Sequence, residues 1–249
     1  VKMLTGIIAP TSGEISVLEY YPNKLENAFK KQYAVVMGQK SQLFFELTPT
    51  DTFRLFKELY EIPENEYKRN VDYFVELFGV SEFLNVQVRT LSLGERMKME
   101  LIVALLHNPR VLFLDEPTIG LDAVAQRQMR LFLREVNRDR GTTILLTSHY
   151  MEDVRSLCQR SVVINHGQKL YDGATDKLFR AYQTHKKITV MFDRETEFAT
   201  IDGVEVIENS LHKAILVAPR EKSSEVLSNI MRNYSLQDIS VEEEDIGNV

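Results

Sequence analysis

The spacing of apolar residues predicts that the middle third of the chain is helical. Between residues 49 and 84, apolar side chains recur at intervals of three and four, namely at Phe53, Phe56, Leu59 and Tyr60, then at Val71, Phe74, Val75 and Phe78. That interval is the period of an amphipathic helix. The helical pattern continues over 93–106, and Asn108 with Pro109 ends it.

Short apolar runs predict strands on both sides of this helical part. A strand is predicted over Tyr33–Met37, which contains two adjacent valines, and another over 111–114, where four apolar residues are consecutive. A helix over 123–138 and a strand over Thr143–Thr147 follow. Strand, helix and strand in this order are typical of a parallel sheet, so the predicted fold class is α/β.

The two ends of the chain carry different patterns. Residues 1–8 read as the end of a helix that runs into Gly6, which predicts that the chain is a fragment cut inside an element. Beyond residue 186, a helix is predicted over 220–233, and strands are predicted over 188–192, 204–208, 214–217 and 236–241. We therefore predict a domain boundary between residues 185 and 186, with 186–249 forming a small α+β accessory domain.

Composition and charge exclude several classes of protein. With 44% apolar and 27% charged residues among 249, the chain is predicted to fold and not to be disordered. A net charge of −6 without a basic block argues against nucleic-acid binding. The single cysteine, Cys158, favours a reducing compartment, and the longest apolar run, 101–106, is far shorter than the roughly 18 to 20 residues that span a bilayer.

Two consecutive carboxylates, Asp115 and Glu116, follow the predicted strand 111–114. The carboxyl ends of parallel strands form the edge at which α/β folds bind ligands. Asp115 is therefore a candidate to hold magnesium, directly or through water, and Glu116 to polarise an attacking water. The alternative is a strand that ends in a solvated acidic turn.

Two further patterns lie near these carboxylates in the sequence. Ser92, with Gly94 two residues later, precedes the helix 93–106. The serine hydroxyl, the unbonded backbone amides of the first turn and the positive end of the helix dipole all favour phosphate oxygens. The alternative is an ordinary capping box between Ser92 and Glu95. His149 follows the strand Thr143–Thr147, which is predicted to lie beside the strand of the carboxylates and makes His149 a candidate for the same site. The alternative is a structural histidine.

In this order the motifs resemble those of the ATP-binding subunits of ABC transporters, over about residues 1–185. The similar stretches are 91–95 (signature motif), 112–116 (Walker B strand and catalytic glutamate), 120–122 (D-loop), His149 (switch histidine) and Gln39 (Q-loop glutamine). The resemblance implies a P-loop NTPase-type parallel sheet core with a helical subdomain over about residues 50–105. It also implies ATP and Mg²⁺ as cofactors.

The resemblance implies a role for each matching residue. Glu116 would act as the general base, and His149 would contact the γ-phosphate; these two are the catalytic residues. Asp115 and Gln39 would serve the magnesium ion. The nucleotide-binding residues would be Gln39, Ser92, Gly94, Glu95, Asp115 and Asp122.

The resemblance also implies partners and a location. Two such subunits, in a homodimer or heterodimer, would face each other head to tail, so that the Ser92 loop of one closes over the ATP of the other. A transmembrane permease would be driven from the cytoplasmic, inner face of the cell membrane. The stretch 39–45 is most similar to bacterial exporters, so export is the predicted direction. Adjacent aromatic residues on a loop cannot easily both face inward, so we expect one of Phe44 and Phe45 to line the groove that receives a helix of the permease. The alternative is that both are buried against the helical subdomain.

One departure from the family pattern limits these expectations. The sequence contains no G-x-x-x-x-G-K-[ST] motif, although 4–6 and 10–15 resemble the family's sequence just after the Walker A helix begins. We therefore expect domain 1–185 to lack its Walker A portion and to be inactive alone. The alternatives are a soluble, non-transport ATPase of the same fold and a non-hydrolysing remnant.

Overall fold

The computed structural model describes residues 1–38, 41–182 and 184–243, and its contacts divide the chain into two units, Val1–His149 and Tyr150–Val249. Gln39, a predicted nucleotide and magnesium ligand, lies outside the described residues. The boundary that the sequence places between residues 185 and 186 falls within the second unit, and the domain division at that point stays a prediction.

The first unit, where described, contains a parallel sheet and a set of helices. The strands are β1 (Tyr33–Met37), β2 (Val111–Asp115) and β3 (Thr143–Thr147), in the order β1-β2-β3. The helices are α1 (Asn27–Lys30), α2 (Pro49–Leu59), α3 (Glu64–Phe78), α4 (Leu93–Leu105) and α5 (Ala123–Arg140). The predicted parallel α/β core with its helical middle part is confirmed.

The start of the chain forms one helical turn that ends at Gly6. Thr5 N–H donates to Val1 O at 3.2 Å, which is the spacing of one α-helical turn, but residues 1–8 form turns and no regular helix. Gly6 has a φ of +77°, in the left-handed region that ends helices. Gly6 N–H also donates to Met3 O at 3.3 Å, and Ile7 N–H donates to Lys2 O at 2.9 Å, which are the two bonds of a Schellman C-cap. The helix end predicted at Gly6 is therefore confirmed.

The core of the first unit surrounds β2 and the second half of α4. Leu112, Phe113 and Leu114 in β2 are at most 2% exposed, and residues 101–106 are likewise buried. A helix that is apolar on all sides has to be covered on all sides, which explains why the run 101–106 lacks an amphipathic pattern. In contrast, β3 pairs only with β2 among the described strands, and its side chains are half-buried or exposed.

The second unit combines a hairpin with an antiparallel sheet. It begins with α6 (Met151–Leu157), β4 (Arg160–Asn165), β5 (Gln168–Ala174) and α7 (Thr175–Tyr182). The remaining elements are β6 (His185–Phe192), β7 (Glu205–Ser210), β8 (Lys213–Pro219), α8 (Ser223–Asn233) and β9 (Leu236–Glu243). The sheet order is β7-β8-β6-β9, and its buried residues, among them Ile188, Val190 and Leu216, share a core with Val226 and Ile230 of α8. The strands and helix predicted beyond residue 186 are thus confirmed.

Among the described helices, none is both long enough and apolar enough to cross a membrane.

Candidate functional site

The carboxyl ends of the three parallel strands bring the predicted carboxylates to one edge of the sheet. Met37 lies opposite Asp115, and Asp115 lies opposite Thr147, so β1, β2 and β3 end level with one another. The Thr147 hydroxyl donates to Asp115 Oδ1 at 2.7 Å, and Glu116 N–H donates to Thr147 O at 3.0 Å. The end of β3 therefore orients both the Asp115 carboxylate and the Glu116 backbone.

Glu116 and His149 are in direct contact. Glu116 Oε2 lies 2.7 Å from His149 Nδ1, and the same oxygen accepts a bond of 3.4 Å from His149 N–H. The side chains retain 30% and 57% of their exposure, so solvent and a substrate can reach the pair. The structure thus joins the two predicted catalytic residues in one cluster with Asp115.

Gly38 is a component of this cluster that the sequence analysis did not identify. Its N–H donates to Asp115 O at 2.9 Å, and a Cβ built on it would lie 2.2 Å from Glu116 O. Glu116 itself has a φ of +54°, an uncommon backbone conformation for a residue with a side chain. The end of β1 therefore approaches the Glu116 peptide so closely that only glycine fits. A glycine directly after a strand is the signal that could have revealed this.

The start of α4 contains the capping box that was the alternative to a phosphate site. Ser92 Oγ accepts from Glu95 N–H at 3.3 Å, and Glu95 Oε2 accepts from Ser92 N–H at 2.8 Å. Ser92 is exposed and Gly94 is half-buried. The box uses the amides of Ser92 and Glu95 and does not use those of Leu93 and Gly94, so its hydrogen bonds do not exclude an anion at the same helix end.

The start of α5 packs against the start of α4. A Cβ on Gly94 would be 3.4 Å from Ala125 Cβ, and a Cβ on Gly120 would be 3.1 Å from Leu93 Cδ2. Asp122 is exposed and caps α5, because its Oδ1 accepts from Ala125 N–H at 2.8 Å. Ser92, Gly94, Glu95 and Asp122 thus form a second group, at the adjoining N-termini of two helices.

The residues present fit a magnesium ion bound mainly through its substrate. In the described part of the chain, no three or more His, Cys, Asp or Glu side chains are arranged so that together they could hold a metal ion. Magnesium commonly uses one or two carboxylates and takes its remaining ligands from phosphates and water. Asp115, with its carboxylate oriented by Thr147, provides one such oxygen ligand.

Comparison with known proteins agrees with this arrangement. A family model described as ABC transporter matches residues 1–119. The ABC transporter ATP-binding protein NatA of Bacillus subtilis is 30% identical over 180 residues, which are 72% of this chain and 73% of NatA. The daunorubicin resistance ATP-binding protein DrrA3 of Streptomyces coeruleorubidus is 28% identical over 257 residues, covering 99% of this chain and 77% of that protein. A solved structure of an ATP-binding subunit of an ABC transporter has a TM-score of 0.63 and 26% identity, covering 73% of this chain and 75% of that one.

The parallel sheet, the carboxylates at its edge and the solved relative define an α/β fold of the P-loop NTPase type. More specifically, the chain belongs to the ATP-binding proteins of ABC transporters. By family it is an ATP-binding protein and an ABC-type ATPase, whose general activity is ATP hydrolysis coupled to transport. Proteins of this kind work with transmembrane permease components. The family and fold class predicted from the motifs are confirmed.

Proposed function

We propose that Glu116 is the general base of ATP hydrolysis and that His149 holds it in place. The observation that carries this proposal is the 2.7 Å contact between Glu116 Oε2 and His149 Nδ1 at the carboxyl edge of the sheet. With Oε2 bonded to the imidazole, the second carboxylate oxygen, Oε1, is the atom that accepts a proton from the attacking water. His149, on the same edge, then contacts the γ-phosphate that the water attacks.

Asp115 is the proposed magnesium ligand, with Gln39 as a second one. When bound, magnesium supplies positive charge that offsets the charge of the phosphates. The Thr147 hydroxyl, 2.7 Å from Asp115 Oδ1, fixes the direction of the carboxylate before the nucleotide arrives. The role of Gln39 remains a prediction because that residue lies outside the described ones.

The second group of residues is proposed to act on the ATP of a second subunit. Ser92, Gly94, Glu95 and Asp122 lie at two adjoining helix N-termini, where backbone amides and helix dipoles favour phosphate oxygens. Ser92 and Asp122 are exposed, as a surface that meets another subunit requires. We therefore propose a head-to-tail dimer in which each ATP is held between two subunits.

The proposed cellular role is to drive export through a permease from the inner face of the cell membrane. The similarity to DrrA3, whose name refers to daunorubicin resistance, supports the outward direction. Phe44 and Phe45 are 50% and 47% exposed, so the alternative in which both are buried does not hold. This exposure supports the proposal that they meet the permease. We further propose that residues 186–249, whose sheet and α8 share their own core, are an accessory domain.

The proposal is tested with Glu116→Gln in the full-length gene product, including any residues that its gene encodes before Val1. The amide cannot take up the proton, so turnover should fall by a factor of about 10² or more. Binding of ATP with magnesium should persist, because the base is not a binding group. Phosphate release and calorimetry measure the two quantities. Glu76→Gln, the same change at an exposed glutamate of α3, is the matched control.

Three results would contradict the proposal. Undiminished phosphate release by Glu116→Gln would place the base elsewhere. Loss of ATP binding would give Glu116 a structural role. If the full-length parent protein hydrolyses no ATP, the protein is the alternative named above, a relative of the family that no longer hydrolyses ATP.

A further inference from the structure

A buried carboxylate of α4 binds the backbone of the segment that follows β1. Glu100 is 4% exposed. Its Oε1 and Oε2 accept bonds of 2.8 and 3.0 Å from Gln42 N–H, and Oε1 also accepts from Leu43 N–H at 3.4 Å. The Ser41 hydroxyl donates to Oε1 as well. Three consecutive residues thus surround one carboxylate.

The contacts of Glu100 do more than provide hydrogen bonds for a polar group that happens to be buried. Burial raises the pKa of Glu100, although the bonds from Ser41, Gln42 and Leu43 favour its ionised form. An apolar residue would suit the buried face of α4 without any such penalty. What the carboxylate adds is a specific attachment of residues 41–43. It accepts from the Ser41 hydroxyl and the Gln42 amide, and it shares the Leu43 amide with Ser41 Oγ, which accepts from the same N–H at 3.1 Å.

The attachment continues along the segment to the exposed aromatic residues. The guanidinium of Arg96, one turn before Glu100 on α4, lies 5.7 Å from the ring centroid of Phe45. Phe45 O accepts from Arg89 N–H at 3.1 Å, and Leu47 O accepts from Val88 N–H at 3.0 Å. The backbone of the segment is therefore fixed to α4 and to the turn before it, while the two aromatic rings stay half-exposed.

We propose that Glu100 is a positioning residue that makes the segment 41–45 and α4 move as one body. The proposal rests on the proposed function, because it assigns a purpose to the linkage: displacement of Phe44 and Phe45 by the permease is transmitted to Ser92 and Gly94. Glu100 lies eight residues, or about 12 Å of helix, from Ser92. Residues 95–105 of α4 contain none of the proline, glycine or serine residues at which helices kink, so displacement of one end is passed to the other.

The linkage is reciprocal, so it can be measured without the permease. If ATP fixes the start of α4 in a dimer, the environment of Phe44 must change when ATP binds. Residues 1–249 contain no tryptophan, so Phe44→Trp provides a fluorescent reporter at a half-exposed position, and any tryptophan encoded before Val1 is replaced by phenylalanine. The full-length protein with Phe44→Trp and Glu116→Gln is titrated with ATP and magnesium, and dimerisation is followed in parallel by light scattering.

With Glu100 present, the tryptophan emission should change as the dimer forms. Adding Glu100→Gln, which keeps the volume and removes the charge, should leave the ATP concentration for dimerisation within about twofold and abolish most of the emission change. Glu100→Asp should restore part of the change, because it restores the charge. Glu76→Gln is the control and should have no effect.

Hydrogen exchange measures the attachment by itself. In Glu100→Gln the amide of Gln42 should exchange about tenfold faster or more, since bonds to a charged acceptor are stronger than neutral ones. The amide of Leu43 should accelerate less, because it also donates to Ser41 Oγ at 3.1 Å. If Glu100→Gln fails to fold, Ser41→Ala takes its place, because Ser41 is exposed and its loss removes one donor. Ser41→Ala should then reduce the emission change by a smaller amount.

The results that overturn the inference differ from those that overturn the proposed function. Faster exchange at residues 42 and 43 with an undiminished emission change would show that Glu100 has only a structural role. An undiminished change in Ser41→Ala, where that variant replaces Glu100→Gln, would do the same. A protein with intact Glu100 that neither binds ATP nor dimerises would overturn the proposed function, and the transmission with it.

Discussion

Gly38→Ala tests whether the close approach of β1 positions Glu116. The added Cβ would lie 2.2 Å from Glu116 O and 2.9 Å from Ile119 Cγ2, whereas real Cβ atoms essentially never approach closer than 3.0 Å. The backbone of Glu116 must therefore move by about 1 Å, which is enough to lower catalysis about 10²-fold. We expect kcat to fall by that factor while the affinity for ATP with magnesium stays within a few-fold.

Stability should change much less than activity in this variant. Overpacking at one position costs about 1 to 3 kcal/mol, which corresponds to a decrease in Tm of several degrees in a chain of this size. Phosphate release, calorimetry and a melting curve on the full-length protein give the three quantities. Gly173→Ala in β5 is the control, because the nearest atom to its Cβ is the end of the Tyr171 side chain, which can move aside.

The reasoning would be refuted by Gly38→Ala with the kcat of the parent protein. Such a result would mean that the Glu116 peptide relaxes without displacing the carboxylate. A variant that loses ATP binding and activity together would instead show that the contact holds the whole edge of the sheet.

Three other changes test separate parts of the structure. Ser92→Arg should leave ATP binding intact and prevent ATP-dependent dimerisation, because the arginine side chain fills the proposed phosphate site at the start of α4. If light scattering shows as much dimer as in the parent protein, Ser92 serves only as a helix cap. Phe44→Ala and Phe45→Ala should each melt within a few degrees of the parent, keep ATPase activity and fail to copurify with the permease; a large loss of Tm in both would make them core residues. Burial lowers the pKa of His107 to about 4. Between about pH 6.5 and 4, the imidazole is therefore protonated in the unfolded chain and neutral in the folded one. The free energy of unfolding should therefore fall by roughly 2 to 3 kcal/mol as pH decreases from about 6.5 to 4, and urea titrations of His107→Gln should show a smaller decrease.

The elements predicted most accurately are those whose pattern follows from burial. β1 and β3 have the predicted bounds, and β2 extends one residue further, to Asp115. In each case a short apolar run is bounded by residues that end it. The helices α2 and α3 were found because one face of each is apolar.

The hairpin of β4 and β5 was missed although its turn carries a signal. His166 and Gly167 both have positive φ, as a two-residue hairpin turn requires. The signal is weak in the sequence because histidine is less usual than asparagine at the first position. The strands are also largely exposed, with Val162 51% and Ile164 68% exposed, so their apolar residues do not follow the pattern of a buried face.

Within the candidate site, motif order located the carboxylates and the histidine, but only the structure shows what orients them. Thr147 acts through a hydroxyl that the sequence does not distinguish from any other strand end. Gly38 acts through a missing Cβ, and although a glycine after a strand is a signal of close approach, it does not show which peptide is approached. Their importance depends on register, since a shift of one residue would place Thr147 opposite a neighbour of Asp115. Register is a property of the packed sheet and not of any single stretch.

The two interpretations of Ser92, as a helix cap and as part of a phosphate site, are compatible with each other. In the capping box the Ser92 hydroxyl accepts from Glu95 N–H and the Glu95 carboxylate accepts from Ser92 N–H, and these two bonds fix the first turn of α4. A fixed first turn presents its other amides in a constant direction, and preorganised donors bind an anion at a lower entropic cost than mobile ones. The cap therefore supports the proposed phosphate cradle, and replacement of Glu95 by alanine should weaken ATP-dependent dimerisation even if residue 95 never touches the nucleotide.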